Sequence, residues 1–147
     1  MGQVTPATRE VLRSIPLFAG CSDRELAAVD RAVDEVYATE GDVLIREGRF
    51  GKESYVIVEG EAGVTKRGEF LARLGPGDFF GEMSVLDNQV RTATVTALTP
   101  MRLLVIHARN LLTVLEQGSA AATMLRTLAQ RLRDADLAVV PAHSYVR

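Results

Sequence analysis

Residues 77–97 read GDFFGEMSVLDNQVRTATVTA. Glu82 follows a glycine, and Arg91 lies nine residues later, with a short apolar stretch between them. EMSVLD is long enough for about one and a half helical turns. Gly81 leaves the backbone at its start unshielded. A helix start offers free N–H groups and partial positive charge, which suit a phosphate. Arg91 adds a full charge and a planar fork that matches phosphate oxygens, and Thr92 adds a hydroxyl. Glu82 would repel that phosphate, so it is expected to serve a donor such as a sugar hydroxyl. The plainer alternative is an ion pair between Glu82 and Arg91, worth roughly 0–1 kcal/mol on a surface.

Around this stretch the chain changes period twice. TPATREVLRSIPLF (5–18) reads helical, with Val11, Leu12 and Ile15 on one side. SDRELAAVDRAVDEV (22–36) opens with a capping pattern, Ser22 followed three residues on by Glu25, and places Leu26, Val29 and Val33 on a core face. From Val36 the pattern alternates: VYATEGDVLIREG, SYVIVEGEAGVTKRGEFLARLG, RTATVTAL and MRLLVIH are short β-type runs broken by glycines. Residues 64–74 read as a hairpin turning at Arg67 and Gly68. Helical spacing returns in ARNLLTVLEQG (108–118), ended by Gly118. It continues in SAAATMLRTLAQRLRDADLAVV (119–140), where Met124, Leu125, Leu128, Leu132 and Ala135 form one stripe.

The expected fold is α+β and mainly β, an antiparallel jelly roll or barrel. N-terminal helices occupy 6–34, the β-roll 36–106 and two C-terminal helices 108–139, with a tail at 140–147. The 147 residues suit one domain.

Composition narrows the function. Hydrophobic residues are 47% and charged residues 24%, as in ordinary globular chains. A net charge of -2 gives no steering toward nucleic acid or an acidic membrane. The single cysteine, Cys21, permits no internal disulfide and fits a reducing, cytoplasmic setting. No apolar stretch reaches the length of a membrane span, so no membrane contact is expected. His107 and His143 stand far apart, and with Cys21 isolated no metal site is expected. No nucleophile elbow occurs, and no catalytic residue is assigned. GPGDFFG nearly spells a dinucleotide fingerprint, but the spacing is one residue too long and no βαβ unit surrounds it. Pro76 and Gly77 read instead as a turn.

FGEMSVLDNQVRTATVTA resembles the phosphate-binding cassette of cyclic nucleotide-binding domains, the type found in catabolite activator protein and protein kinase A regulatory subunits. EGRFGKESYVIVEGEAGV (47–64) is similar to that family's glycine-punctuated strand pair, and GPGDFFGE to its approach to the cassette. LRSIPLFAGCSDRELAAV (12–29) resembles its helical lead, and the last two helices resemble its B and C helices.

The resemblance implies a sensor whose ligand is cAMP or cGMP, without further cofactor. Arg91 and the amides of Met83 and Ser84 would hold the cyclic phosphate. Glu82 and the backbone near Gly81 would take the ribose 2′-OH. Thr92 would touch the phosphate and the base, a residue associated with cGMP tolerance in eukaryotic relatives. Val64 and Leu71 would pack the sugar and base, a role set beside plain barrel core. In the bacterial regulators the long helix supplies hydroxyls to the base. Here RLRDAD (131–136) carries Ala135 and Asp136, which leaves Arg131 and Asp136 as candidate base caps. The chain carries no recognition helix after its long helix, so DNA binding by this chain is not expected.

Two other functions compete. One is a structural module that dimerises through the C-terminal helix, or docks on an effector protein, without a nucleotide response. The other is a cupin-type enzyme, which would need a cluster of His and carboxylate ligands on barrel strands.

Overall fold

A computed structural model describes residues 6–139, with side chains at 9, 10 and 12–134. The expected tail at 140–147, and the side chains of Val11, Ala135, Asp136 and His143, lie outside the described residues.

Helix α1 (Pro6–Ser14) is followed by a 3-10 turn (Pro16–Phe18) and helix α2 (Asp23–Ala32). The capping box forms as read: Glu25 N–H donates to Ser22 Oγ at 3.2 Å, and Ser22 N–H donates to Glu25 Oε1 at 2.9 Å. Eight strands follow. They are β1 (Asp34–Ala38), β2 (Val43–Ile45), β3 (Glu53–Glu59), β4 (Ala62–Lys66), β5 (Glu69–Leu74), β6 (Phe79–Phe80), β7 (Thr94–Ala97) and β8 (Met101–His107). Helix α3 (Glu82–Asp87) interrupts them between β6 and β7, and α4 (Ala108–Leu115) and α5 (Ala120–Val139) close the described chain.

The strands form two four-stranded antiparallel sheets, ordered β1-β8-β3-β6 and β2-β7-β4-β5. This is the expected jelly roll with helices at its flanks. β3 and β8 read as near-continuous apolar runs because both faces are covered. Val56, Val58, Leu104 and Ile106 point toward the helices, and Ile57 and Leu103 point between the sheets. The helical side adds Leu12, Leu17, Phe18, Leu26, Val29, Leu111, Val114 and Met124 to the first cluster. Each such fully buried side chain contributes roughly 1.5–3 kcal/mol of hydrophobic stabilisation. β4 and β5 turn through Arg67 and Gly68, whose φ values of 52° and 80° give the left-handed pair that a tight hairpin needs.

Four details differ from the sequence reading. α2 stops at Ala32 and β1 begins at Asp34, so the roll starts two residues before 36. Val33 is buried as its helical spacing implied, but as an extended residue after the helix, at φ -123° and ψ 154°. β8 continues through His107, one residue past the expected end of the roll. The α5 stripe is also split. Met124 is buried and Leu128 packs beside it, whereas Leu125 and Leu132 are 67% and 62% exposed. A stripe that includes both i+1 and i+8 neighbours is wider than the face one layer of core can cover.

Among the described residues, no helix is long and apolar enough to cross a membrane.

Candidate functional site

β6 delivers the chain to Gly81, whose φ of 84° suits glycine. A Cβ there would lie 3.1 Å from both Glu53 O and Arg91 Nη1. The turn starts α3, which ends at Asn88, another left-handed residue at φ 56°. The chain then returns toward β7 through Arg91. Arg91 is clamped by its own backbone: its N–H donates to Arg49 O, and its carbonyl accepts from Gly48 N–H, both at 2.8 Å. The EGRFG loop therefore sets where the arginine stands.

The Arg91 side chain is 5% exposed. Nη1 donates to Gly81 O at 2.8 Å and to Ser84 Oγ at 2.7 Å, and Nη2 donates to Glu53 O at 2.8 Å. The described residues thus supply three acceptors to a group with five N–H donors. Burial pushes its pKa below the usual arginine range, and Tyr55, Glu53 and Glu82 oppose that shift.

Glu82 is 3% exposed, and its ion-pair partner is Arg131 of α5, with Nη1 3.5 Å from Oε1. Glu82 Oε2 is buried with no hydrogen-bond partner among the described residues. Burial pushes the carboxyl above the usual range, while its own backbone amide, Arg131 and Arg91 pull it back. Glu82 and Arg91 thus feel each other's charge, but their bonds run elsewhere. Arg131 also donates from Nη2 to Phe79 O at 2.7 Å, and its guanidinium carbon sits 4.6 Å from the Phe79 ring centre.

These groups share one cavity of about 360 Å³. Of the sequence-derived candidates, Gly81, Glu82, Met83, Ser84, Arg91, Thr92, Val64, Leu71 and Arg131 all line it. Asp136 is the one whose side chain lies outside the described residues. Leu71 is 56% exposed, so it is not plain barrel core, whereas Val64 is partly buried and packs against the cluster between the sheets. Phe80 forms part of the wall and stacks on Tyr55, with ring centres 4.9 Å apart.

Two contributors went unread in the sequence. A Cβ at Gly51 would fall 2.5 Å from Arg91 Cζ, so this glycine makes room for the guanidinium. Its signal was its place in the EGRFG loop. Glu53 acts through its backbone carbonyl, which no side-chain pattern reveals.

Among the described residues, no group of three or more His, Cys, Asp or Glu side chains could hold a metal ion. His107 sits at the β8–α4 junction with Nε2 3.2 Å from Asp34 Oδ2.

The profile described as cyclic nucleotide-binding domain matches residues 35–118. The chain is 38% identical over 94 residues to a cAMP-dependent protein kinase regulatory subunit of Eremothecium gossypii, covering 63% of this chain. It spans 20% of that subunit's length. The crystal structure of Thermus thermophilus catabolite activator protein superposes with a TM-score of 0.72 at 30% identity, over 83% of this chain and 60% of that one. The N-terminal domain of a transcriptional regulator from Streptomyces coelicolor superposes with a TM-score of 0.65 at 36% identity, over 90% of this chain and 99% of that one. The chain belongs to the cyclic nucleotide-binding domain family.

Proposed function

We propose that this chain is a sensor module that binds cAMP, with cGMP as the alternative ligand, and passes occupancy to its C-terminal helices. One observation carries the reading. A buried arginine with donors to spare and a buried carboxylate with an unpartnered oxygen line the same cavity of about 360 Å³.

The chemistry divides by charge. Arg91 and the amides of Met83 and Ser84 take the cyclic phosphate, an anion that the first turn of α3 also favours. Glu82 accepts from the ribose 2′-OH, which gives its second oxygen a donor. Val64 and Leu71 supply apolar contact to sugar and base, and Thr92 offers a hydroxyl to phosphate or guanine. Arg131 covers the pocket from α5, and Asp136 is the second candidate cap. Because Arg131 bonds to Glu82 and Phe79, ligand at Glu82 and the placement of α5 are energetically linked. Such linkage needs only a difference in nucleotide affinity between two helix arrangements.

The output partner on this reading is a second copy through α5 or an effector protein. The exposure of Leu125 and Leu132, seven residues apart on α5, favours a second reading as a dimerising module indifferent to nucleotide. Calorimetric titration with cAMP, cGMP and 2′-deoxy-cAMP, with light scattering alongside, separates the two. Binding of at least one ribonucleotide, and weaker binding of the deoxy analogue, supports the sensor. A dimer with no heat from any of the three at high micromolar concentration overturns it.

A further inference from the structure

Glu25 does more than complete the α2 capping box. Its Oε1 accepts from Ser22 N–H at 2.9 Å, and its Oε2 accepts from Gly118 N–H at 2.5 Å. One carboxylate therefore ties the start of α2 to the turn between α4 and α5. Both partners are backbone amides, so no rotamer change lets them follow a moving helix. The pKa of Glu25 lies below its usual range because these amides stabilise the ionised form.

The joint is close-packed as well as bonded. Gly118 has φ 52°, and a Cβ there would sit 3.0 Å from Cys21 Sγ and 3.2 Å from Cys21 N. On the opposite side, a Cβ at Gly20 would sit 3.1 Å from Ser119 Oγ. Two glycines thus let the two chain segments touch at the carboxylate bridge. Ala120, the first residue of α5, is fully buried beyond it.

Helix α5 leaves from this joint, with Met124 and Leu128 packed on the core beyond it. From Ala120 to Arg131 the helix rises about 16 Å, so a tilt of about 10° at the joint carries Arg131 by about 3 Å. That is enough to break the 2.7 Å bond to Phe79 O and the 3.5 Å pair with Glu82. We infer that Glu25 is a positioning residue for the nucleotide pocket: by fixing the α4–α5 turn to the α2 N-terminus, it places Arg131 over Phe79 and Glu82. The inference rests on the sensor reading for its effect on affinity, and on geometry alone for its effect on Arg131.

The test compares Glu25→Ala, Ser22→Ala and Arg131→Ala in the full chain. Ser22→Ala removes the hydroxyl cap but leaves Glu25 with both amides. The first readout needs no ligand: amide chemical shifts at Phe79 and Glu82. Glu25→Ala is expected to move them as Arg131→Ala does, and Ser22→Ala to leave them in place. The second is cAMP affinity. If Arg131 is in register half to a tenth of the time in Glu25→Ala, affinity falls about twofold to tenfold. In an Arg131→Ala background the same change should then cost nothing further. Shift changes confined to residues 18–26 and 116–120 would overturn the inference, as would an affinity loss that persists in full without Arg131. If the wild type binds no nucleotide, the sensor reading fails, and the ligand-free shifts still decide the role of Glu25.

Discussion

Replacing Glu82 by Gln separates the two demands placed on that position. In the protein alone, Glu82 is 3% exposed, its Oε2 has no partner among the described residues, and Arg131 stands 3.5 Å from Oε1. Burying an unsatisfied polar group costs about 1–3 kcal/mol, and more for a charge. The exposed side of Arg131 recovers part of that cost. A neutral amide of the same shape avoids the charge burial, so Glu82→Gln should raise stability by about 1 kcal/mol near pH 7.5. For a chain of this length that is about 3 °C in Tm.

The pH dependence has a definite sign. The folded-state pKa of Glu82 is raised, so the folded state holds its proton more tightly than the unfolded state. The contribution of Glu82 to wild-type stability is therefore greatest below the ordinary carboxylate range and is lost as pH rises through the raised value. The advantage of Gln should be near zero at about pH 4 and grow toward pH 7.5. Saturating cAMP should cancel that advantage, because weaker binding by the variant offsets about 1 kcal/mol or slightly more. A hydrogen bond to a charged acceptor is worth about 1.5–3 kcal/mol against about 0.5–1.5 for a neutral one, so Gln should bind roughly fivefold to tenfold more weakly. Thermal melts of both proteins at three pH values, with and without cAMP, read all of this. A Glu82→Gln protein that is destabilised to the same extent at every pH, whether or not cAMP is present, would refute the argument.

Other substitutions probe the supports. Gly51→Ala should leave the thermal midpoint within a few degrees but weaken nucleotide binding about tenfold, about 1.4 kcal/mol, because its Cβ displaces the Arg91 guanidinium; calorimetry that finds unchanged affinity removes Gly51 from the site. Phe18→Ala should lower stability by about 3–5 kcal/mol in a urea melt, since Phe18 is fully buried where the N-terminal helices meet the roll.

Much of this was legible in the chain because the signals were local. The Ser22–Glu25 box, the Arg67–Gly68 turn and the Gly81–Glu82 start of α3 each depend on neighbours within a few residues. Arg91 was legible as a charge held near that helix. What clamps it was not, because Gly48, Arg49, Gly51 and Glu53 act through backbone atoms some 40 positions away. The pairing of Glu82 with Arg131 was hidden for the same reason, since it depends on how α5 crosses the roll. The stripe on α5 misled because spacing marks a face without saying how much of it is covered. Val33 shows the converse: its burial followed from spacing, and its extended backbone did not.

Arg91 is the residue on which phosphate recognition rests, and calorimetry of its alanine variant tests that role. Wild type and Arg91→Ala are titrated with cAMP and with cGMP by calorimetry, after thermal melts confirm that both are folded. Loss of a hydrogen bond to a charged group costs about 1.5–3 kcal/mol, so the variant should bind the preferred nucleotide about 12- to 160-fold more weakly. Equal affinity in the two proteins, or no binding of either nucleotide to the wild type at high micromolar concentration, would contradict the account.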